Sequence, residues 1–160
     1  MKELQTTLLF VIKNNRILLA QKKRGFGVGK YNGVGGKLEP GETVEQAMIR
    51  ETQEEITITP TQYQKCGVVK FDTYRKDERT MVVTHVYTAN DYIGEPQETE
   101  EMKPDWFDIT KIPFDQMYPT DQLWLPIILE NRGYFEAEFK FDIDGNLLDH
   151  KIELSPAPRA

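Results

Sequence analysis

Three glutamates at the end of one helical stretch constrain this chain more than any other feature. Between Thr43 and Ile56, the residues Val44, Ala47, Met48, Glu51 and Glu55 recur at three- and four-residue steps, the period of an amphipathic helix. Glu51, Glu54 and Glu55 therefore share one face. At a rise of about 1.5 Å per residue, the first and last stand roughly 6 Å apart along the axis. Three like charges that close destabilise a helix unless something neutralises them. A hard divalent cation does so, because it prefers carboxylate oxygens. Taken alone, the same three residues also describe a solvated acidic face of the kind surface helices carry.

The surroundings of this helix sharpen the reading. Gly25 to Gly36 is too rich in glycine for regular structure, and Pro40–Gly41 reads as a turn, with the helix starting near Glu42–Thr43. Glu42 sits against the positive end of the helix dipole, and Arg50 is placed to orient a neighbouring glutamate. The β-branched run Thr57–Ile58–Thr59–Pro60 ends the helix.

Elsewhere the pattern is mostly that of strands. Thr6–Ile12 and Ile17–Gln21 flank the polar turn Lys13–Arg16 as a hairpin, and Tyr63–Tyr74 and Thr80–Ala89 flank the charged turn Arg75–Arg79. Trp106–Asp108 lies in a further short strand, and Gln122–Asn131 is a second helix that tolerates Pro126. Tyr134–Phe141 and Leu147–Leu154 form a last hairpin around Asp144–Gly145–Asn146. Strands on both sides of one long helix, with a late second helix, predict an α/β (α+β) chain: a mixed β-sheet sandwiched between α-helices. No repeat or linker divides it, so a single domain over residues 1–160 is expected.

Composition narrows the function. With 39% hydrophobic and 29% charged residues the chain is an ordinary globular one. One cysteine, Cys66, excludes an internal disulfide framework and a multi-cysteine zinc site. The N-terminus has only a short apolar run, so neither a signal peptide nor a membrane span is read there. A formal net charge of −6 argues against general nucleic-acid binding.

The segment from Gly36 through Glu42, Arg50, Glu51, Glu54 and Glu55 to Ile58 resembles the Nudix box, G-x5-E-x7-R-E-U-x-E-E-x-G-U, where U is aliphatic. Two positions depart from it: Thr52 replaces the first aliphatic residue and Thr57 the last glycine. Neither is a charged ligand position, so what the departures put in doubt is helix packing and the C-terminal cap. The resemblance implies the Nudix fold and a Mg²⁺-dependent pyrophosphohydrolase, with Mn²⁺ as a substitute. Glu51, Glu54 and Glu55, the Gly36 carbonyl and the remote Glu101 would hold one or more ions, with Arg50 and Glu42 completing the catalytic set. Spacing leaves the base open between Glu54 and Glu101.

Outside the box, Lys22–Gly36, Glu101–Phe107, Ile112–Trp124, Gly133–Phe135 and Leu147–Asp149 resemble the MutT-type, oxidised-purine nucleoside triphosphate branch of that family. This implies a base pocket. Asn32 would hydrogen-bond the purine edge, and Tyr118 stands where a stacking tryptophan is usual. Phe26, Phe71 and Trp124 would line apolar walls, Thr7 the floor, and Lys22 would approach the phosphates. Thr120–Asp121 replaces a pair of adjacent acids, leaving Asp121 to read one edge. The implied activity is hydrolysis of 8-oxo-dGTP-type substrates to monophosphate and pyrophosphate by a cytoplasmic monomer, sanitising the nucleotide pool, with no nucleic-acid or membrane partner. Another Nudix substrate (a dinucleoside polyphosphate, nucleotide sugar or ordinary NTP) is the alternative. A non-catalytic nucleotide sensor ranks below both, because a pure binder has no need of the acidic cluster.

Overall fold

A computed structural model describes residues 1–155 of the chain; residues 156–160, the end of the expected domain, lie outside the described residues. Eight strands join in one sheet ordered β3-β2-β1-β5-β4-β7-β8, with β6 on β2. The strands are β1 Lys2–Lys13, β2 Arg16–Lys22, β3 Tyr31–Asn32, β4 Thr59–Arg75, β5 Glu78–Ile93, β6 Met102–Asp108, β7 Tyr134–Phe141 and β8 Leu147–Ser155. The sheet is mixed: β1 runs parallel to β5 and β4 to β7, while the other pairs are antiparallel. Among the described residues two α-helices, α1 (Val44–Ile56) and α2 (Asp121–Leu129), and a short 3-10 turn at Phe114–Gln116 complete the fold.

Strand alternation builds a core on each face. Leu9, Val11, Leu18 and Ala20 pack with Met48 and Ile56 of α1. Leu8, Phe10, Ile17 and Leu19 pack with Trp124, Leu125 and Ile127 of α2. The sheet is thus covered by a helix on each side, the architecture expected from the sequence.

The first hairpin turns through Asn14 and Asn15, both at positive φ (55° and 61°), a conformation that asparagine tolerates in two-residue turns. The glycine-rich segment then runs back along β1: Leu9 N–H donates to Val34 O, Thr7 N–H to Gly36 O, and Leu38 N–H to Gln5 O. Such an approach admits no side chain at two points. A Cβ at Gly33 would stand 2.6 Å from Leu9 O, and one at Gly35 only 1.8 Å from Thr7 O. So the segment read as irregular is an edge laid against β1, and it carries Gly36 to the helix.

Thr43 caps α1, its Oγ1 accepting from Gln46 N–H while the Gln46 side chain accepts from Thr43 N–H. At the other end Thr57, in the box's glycine position, adopts φ 66°. Its hydroxyl donates to Glu95 O at 2.9 Å, anchoring a residue of unfavourable shape for that region. Thr52, the other departure, is fully buried and donates to Met48 O, so its hydroxyl is satisfied inside the helix. The helix therefore keeps its course with both substitutions in place. Cys66 is half-buried, and burial pushes its thiol pKa up.

Candidate active site

The three helix glutamates share a face but not an environment. Glu55 is 8% exposed, while the Glu51 and Glu54 side chains are 16% and 57% exposed. Glu55 belongs to the stripe of Met48, Thr52 and Ile56 that α1 buries. Its carboxylate accepts Gly35 N–H at 2.7 Å. Burial raises its pKa to about 7 against that hydrogen bond, with the charges of Glu51 and Glu101 adding to the rise and Lys22 opposing it. Burial also pushes Glu51 up, against its hydrogen bond from Arg50.

Arg50 ties the cluster together. Its Nε and Nη2 donate to the two Glu42 oxygens at 2.6 and 2.9 Å, and its Nη1 to Glu51 at 2.9 Å and Glu54 at 3.2 Å. Nη2 also reaches Lys37 O. Glu42 additionally accepts Glu39 N–H, so its partners are this guanidinium and the preceding turn. The Arg50 hydrogen bond is the main cause that holds Glu42 below the usual carboxylate range. Gly36 lies directly against Glu51: a Cβ there would meet the carboxyl carbon at 2.6 Å.

Glu101, far away in sequence, comes to the same place at the start of β6. Lys23 N–H donates to its carbonyl, and Arg24 pairs with its carboxylate. That hydrogen bond is the main cause holding Glu101 below the usual range. Lys22, at the end of β2, contributes its positive charge to both Glu55 and Glu101.

The residues assigned to a base pocket divide into an exposed and a buried group. Phe26, 77% exposed, stacks on Tyr118 with ring centroids 6.2 Å apart at 15°. Lys30 Nζ lies 5.6 Å from the Tyr118 ring centre. Asp121 is 3% exposed and accepts Tyr118 N–H at 3.1 Å. Burial raises its pKa to about 7, with this hydrogen bond and Lys30 opposing the rise. Thr120 beside it is also buried.

Trp124 is a core side chain, 1% exposed between Phe10 and Phe135. Phe71 is half-buried and stacked on Phe139. Asn32 accepts Gly33 N–H at 2.8 Å through its own Oδ1. Thr7 has the strand parity of Leu9 and Val11, which pack beneath α1, so it stands on that side of the sheet. Thr7 Oγ1 and Trp124 Nε1 are buried without a hydrogen-bond partner among the described residues. A cavity of about 310 Å³ lined by Lys13, Asn14, Arg16, Tyr92 and Trp106 lies at the opposite end of β2 from Lys22, apart from all of these groups.

The sequence matches the NUDIX domain over residues 3–126. The chain belongs to the Nudix family. It is 44% identical over 147 residues to an oxidized purine nucleoside triphosphate hydrolase of Danio rerio, covering 92% of each chain. It is 37% identical to the Mus musculus protein of the same name, over 91% of this chain and 92% of that one. Among solved structures, a MutT protein from Bacillus halodurans superposes with a TM-score of 0.83 over 96% of this chain and 99% of its own, at 22% identity, a likeness of fold.

As a Nudix hydrolase the chain uses a divalent metal, and its donors fit one chemically. The donors expected from the sequence would be carboxylates and a backbone carbonyl, the oxygen set that hard cations take. Burial, with a smaller contribution from neighbouring carboxylates, raises the two inner glutamates. Among the described residues no three acidic side chains are already gathered around one point. Glu51 is paired with Arg50 and Glu101 with Arg24. Two residues that contact the candidate site residues, Arg24 and Lys30, escaped the sequence reading. Arg24 closes the basic run Lys22–Lys23–Arg24, which was a signal for it; Lys30 had none, since its place over Tyr118 depends on the fold of the glycine loop. No helix is long and apolar enough to cross a membrane among the described residues.

Proposed function

We propose that this Nudix enzyme hydrolyses oxidised purine nucleoside triphosphates of the 8-oxo-dGTP type to monophosphate and pyrophosphate. It would act as a cytoplasmic monomer on a free nucleotide, with Mg²⁺ as its ion and Mn²⁺ as a substitute. The observation that carries the reading is the buried Asp121, held at the foot of the Phe26–Tyr118 aromatic pair. A carboxyl with a pKa near 7 can donate to or accept from a purine edge. Base–aromatic stacking contributes about 1–3 kcal/mol. The likeness over most of the chain to two proteins named for this activity supports it.

In the reaction, the oxygen of a water forms a bond to a phosphorus of the triphosphate. The phosphoanhydride P–O bond breaks, and its electron pair leaves on the pyrophosphate. Glu51, Glu54, Glu55, Glu101 and the Gly36 carbonyl would hold a divalent ion, which would supply positive charge to the phosphates and lower the pKa of water. Lys22 adds a positive charge beside Glu55 and Glu101. Arg50 sets the orientation of Glu51. Of the two candidate bases, Glu101 is paired with Arg24 and Glu54, the more exposed, with Arg50, so either could take the proton of the attacking water.

Initial rates with Mg²⁺ on 8-oxo-dGTP, dGTP, ATP, diadenosine tetraphosphate and ADP-ribose test this, with pyrophosphate and monophosphate detected separately. A kcat/KM preference for 8-oxo-dGTP over dGTP of about tenfold or more, roughly 1.4 kcal/mol, is expected. A larger rate on another member of the panel would overturn the oxidised-purine reading and leave the hydrolase.

A further inference from the structure

The last carbonyls of α1 have no partner within the helix, as at any helix end. Here they are taken by the segment that leads into β6. Ile56 O accepts Gln97 N–H at 3.0 Å, and Glu55 O accepts the Thr99 hydroxyl at 2.8 Å. The same hydroxyl oxygen accepts two N–H groups, from Glu101 at 3.2 Å and from Met102 at 3.3 Å. One donor and two lone pairs are the full capacity of a threonine hydroxyl. It joins Glu55, which carries the most buried helix carboxylate, to Glu101, which carries the remote one, and to Met102 at the start of β6. Thr99 N–H donates to Met102 O at 2.9 Å, closing the turn from the other side.

We propose that Thr99 is a positioning residue of the metal centre, setting the place of Glu101 relative to Glu55 through this three-way hydrogen bond. The proposal rests on Glu101 being a ligand. Arg24 holds the Glu101 carboxylate through its exposed guanidinium, and Lys23 Nζ reaches Glu98 and Thr99 O. Those cationic contacts act on side chains and on the Thr99 carbonyl, and Lys23 N–H holds the Glu101 carbonyl from the β2 side. The Thr99 hydroxyl is the link from the helix backbone to the Glu101 backbone. A plain helix cap would stabilise α1 and leave Glu101 indifferent. A positioning residue makes the contribution of Glu101 depend on the hydroxyl.

The test is a double-mutant cycle on the full chain, read by direct Mn²⁺ titration and by melting temperature, with hydrolysis as a second readout. Thr99→Val keeps the shape and removes the hydroxyl; Thr99→Ser restores the hydroxyl. Thr99→Val is expected to weaken Mn²⁺ binding about tenfold, in the range seen when partners of metal ligands are removed, and Thr99→Ser to bind as the parent does. In a Glu101→Gln background, Thr99→Val should weaken Mn²⁺ binding no further. An equal loss in both backgrounds, unchanged Mn²⁺ affinity in Thr99→Val, or no effect of Glu101→Gln overturns the proposal. Should Thr99→Val fail to fold, Thr99→Ala takes its place in the cycle. Because Mn²⁺ binding is read without a base, a different preferred nucleotide would leave this outcome legible.

Discussion

Gly36 and Glu51 occupy adjoining space so tightly that a Cβ on the glycine would stand 2.6 Å from the glutamate carboxyl carbon and 2.7 Å from both of its oxygens. The obstacle is the free end of a flexible side chain, so a methyl there is cheap for folding and costly for function. Gly36→Ala is expected to fold with a melting temperature close to the parent and to lose divalent-cation affinity and kcat/KM by about tenfold or more. Mn²⁺ titration beside a thermal melt checks this. A variant that melts early but binds Mn²⁺ normally would mean that Gly36 matters only for folding.

Arg50 holds both Glu42 oxygens and one of Glu51 with its planar fork. Lysine offers a point charge and cannot span both carboxylates. Arg50→Lys should therefore reduce kcat/KM by about 10- to 100-fold although the charge is kept. Steady-state rates over a Mg²⁺ series would show it, and a fall of less than threefold would contradict the role given to the fork.

Asp121 links stability to pH. Its folded pKa, about 7, lies above the ordinary carboxyl value of 3.8, and burial is the main cause. Between those values the folded state holds a proton that the unfolded chain has released, so stability falls as pH rises through this window and the penalty is complete above it. Asp121→Asn, which can still accept Tyr118 N–H, removes the penalty. It should gain in melting temperature relative to the parent at pH 8 and gain little or nothing at pH 4. Melts at both pH values decide it; an equal difference at the two would show that Asp121 is not the linked group.

Thr120 sets the substrate range on the proposed reading. It is buried beside Asp121, and its hydroxyl cannot exchange a proton near neutrality. Thr120→Asp creates a coupled carboxyl pair that can meet either a keto or an amino purine edge. The ratio of kcat/KM for an oxidised adenine nucleotide to that for 8-oxo-dGTP is expected to rise. An unchanged ratio would remove Thr120 as a determinant of breadth.

What could be read without the fold is what depends on near neighbours. The period of Val44, Ala47, Met48, Glu51 and Glu55 places α1, because side chains three and four apart meet on any helix. The same periodicity puts three glutamates on one face, and alternation and turn residues mark β1, β2, β7 and β8. Strand lengths were less legible. β4 and β5 run well past Tyr63–Tyr74 and Thr80–Ala89, because register shifts at Pro60/Gln62, Gln62/Tyr63 and Lys65/Gly67 let pairing continue where the sequence pattern breaks.

Spacing by itself determined that Glu51, Glu54 and Glu55 lie together near Arg50. Only the tertiary structure decided that Glu55 is buried, that Glu54 is exposed, and that Arg24 meets Glu101 across 77 residues. It also decided that Phe26 stands over Tyr118 while Trp124 sinks into the core. The physical reason is the range of the interactions. A helix repeats its geometry from local torsions, so neighbours along it are known in advance. Burial, charge environment and pairing between distant segments come from how the glycine-rich edge, α1 and the loop before β6 pack against one sheet.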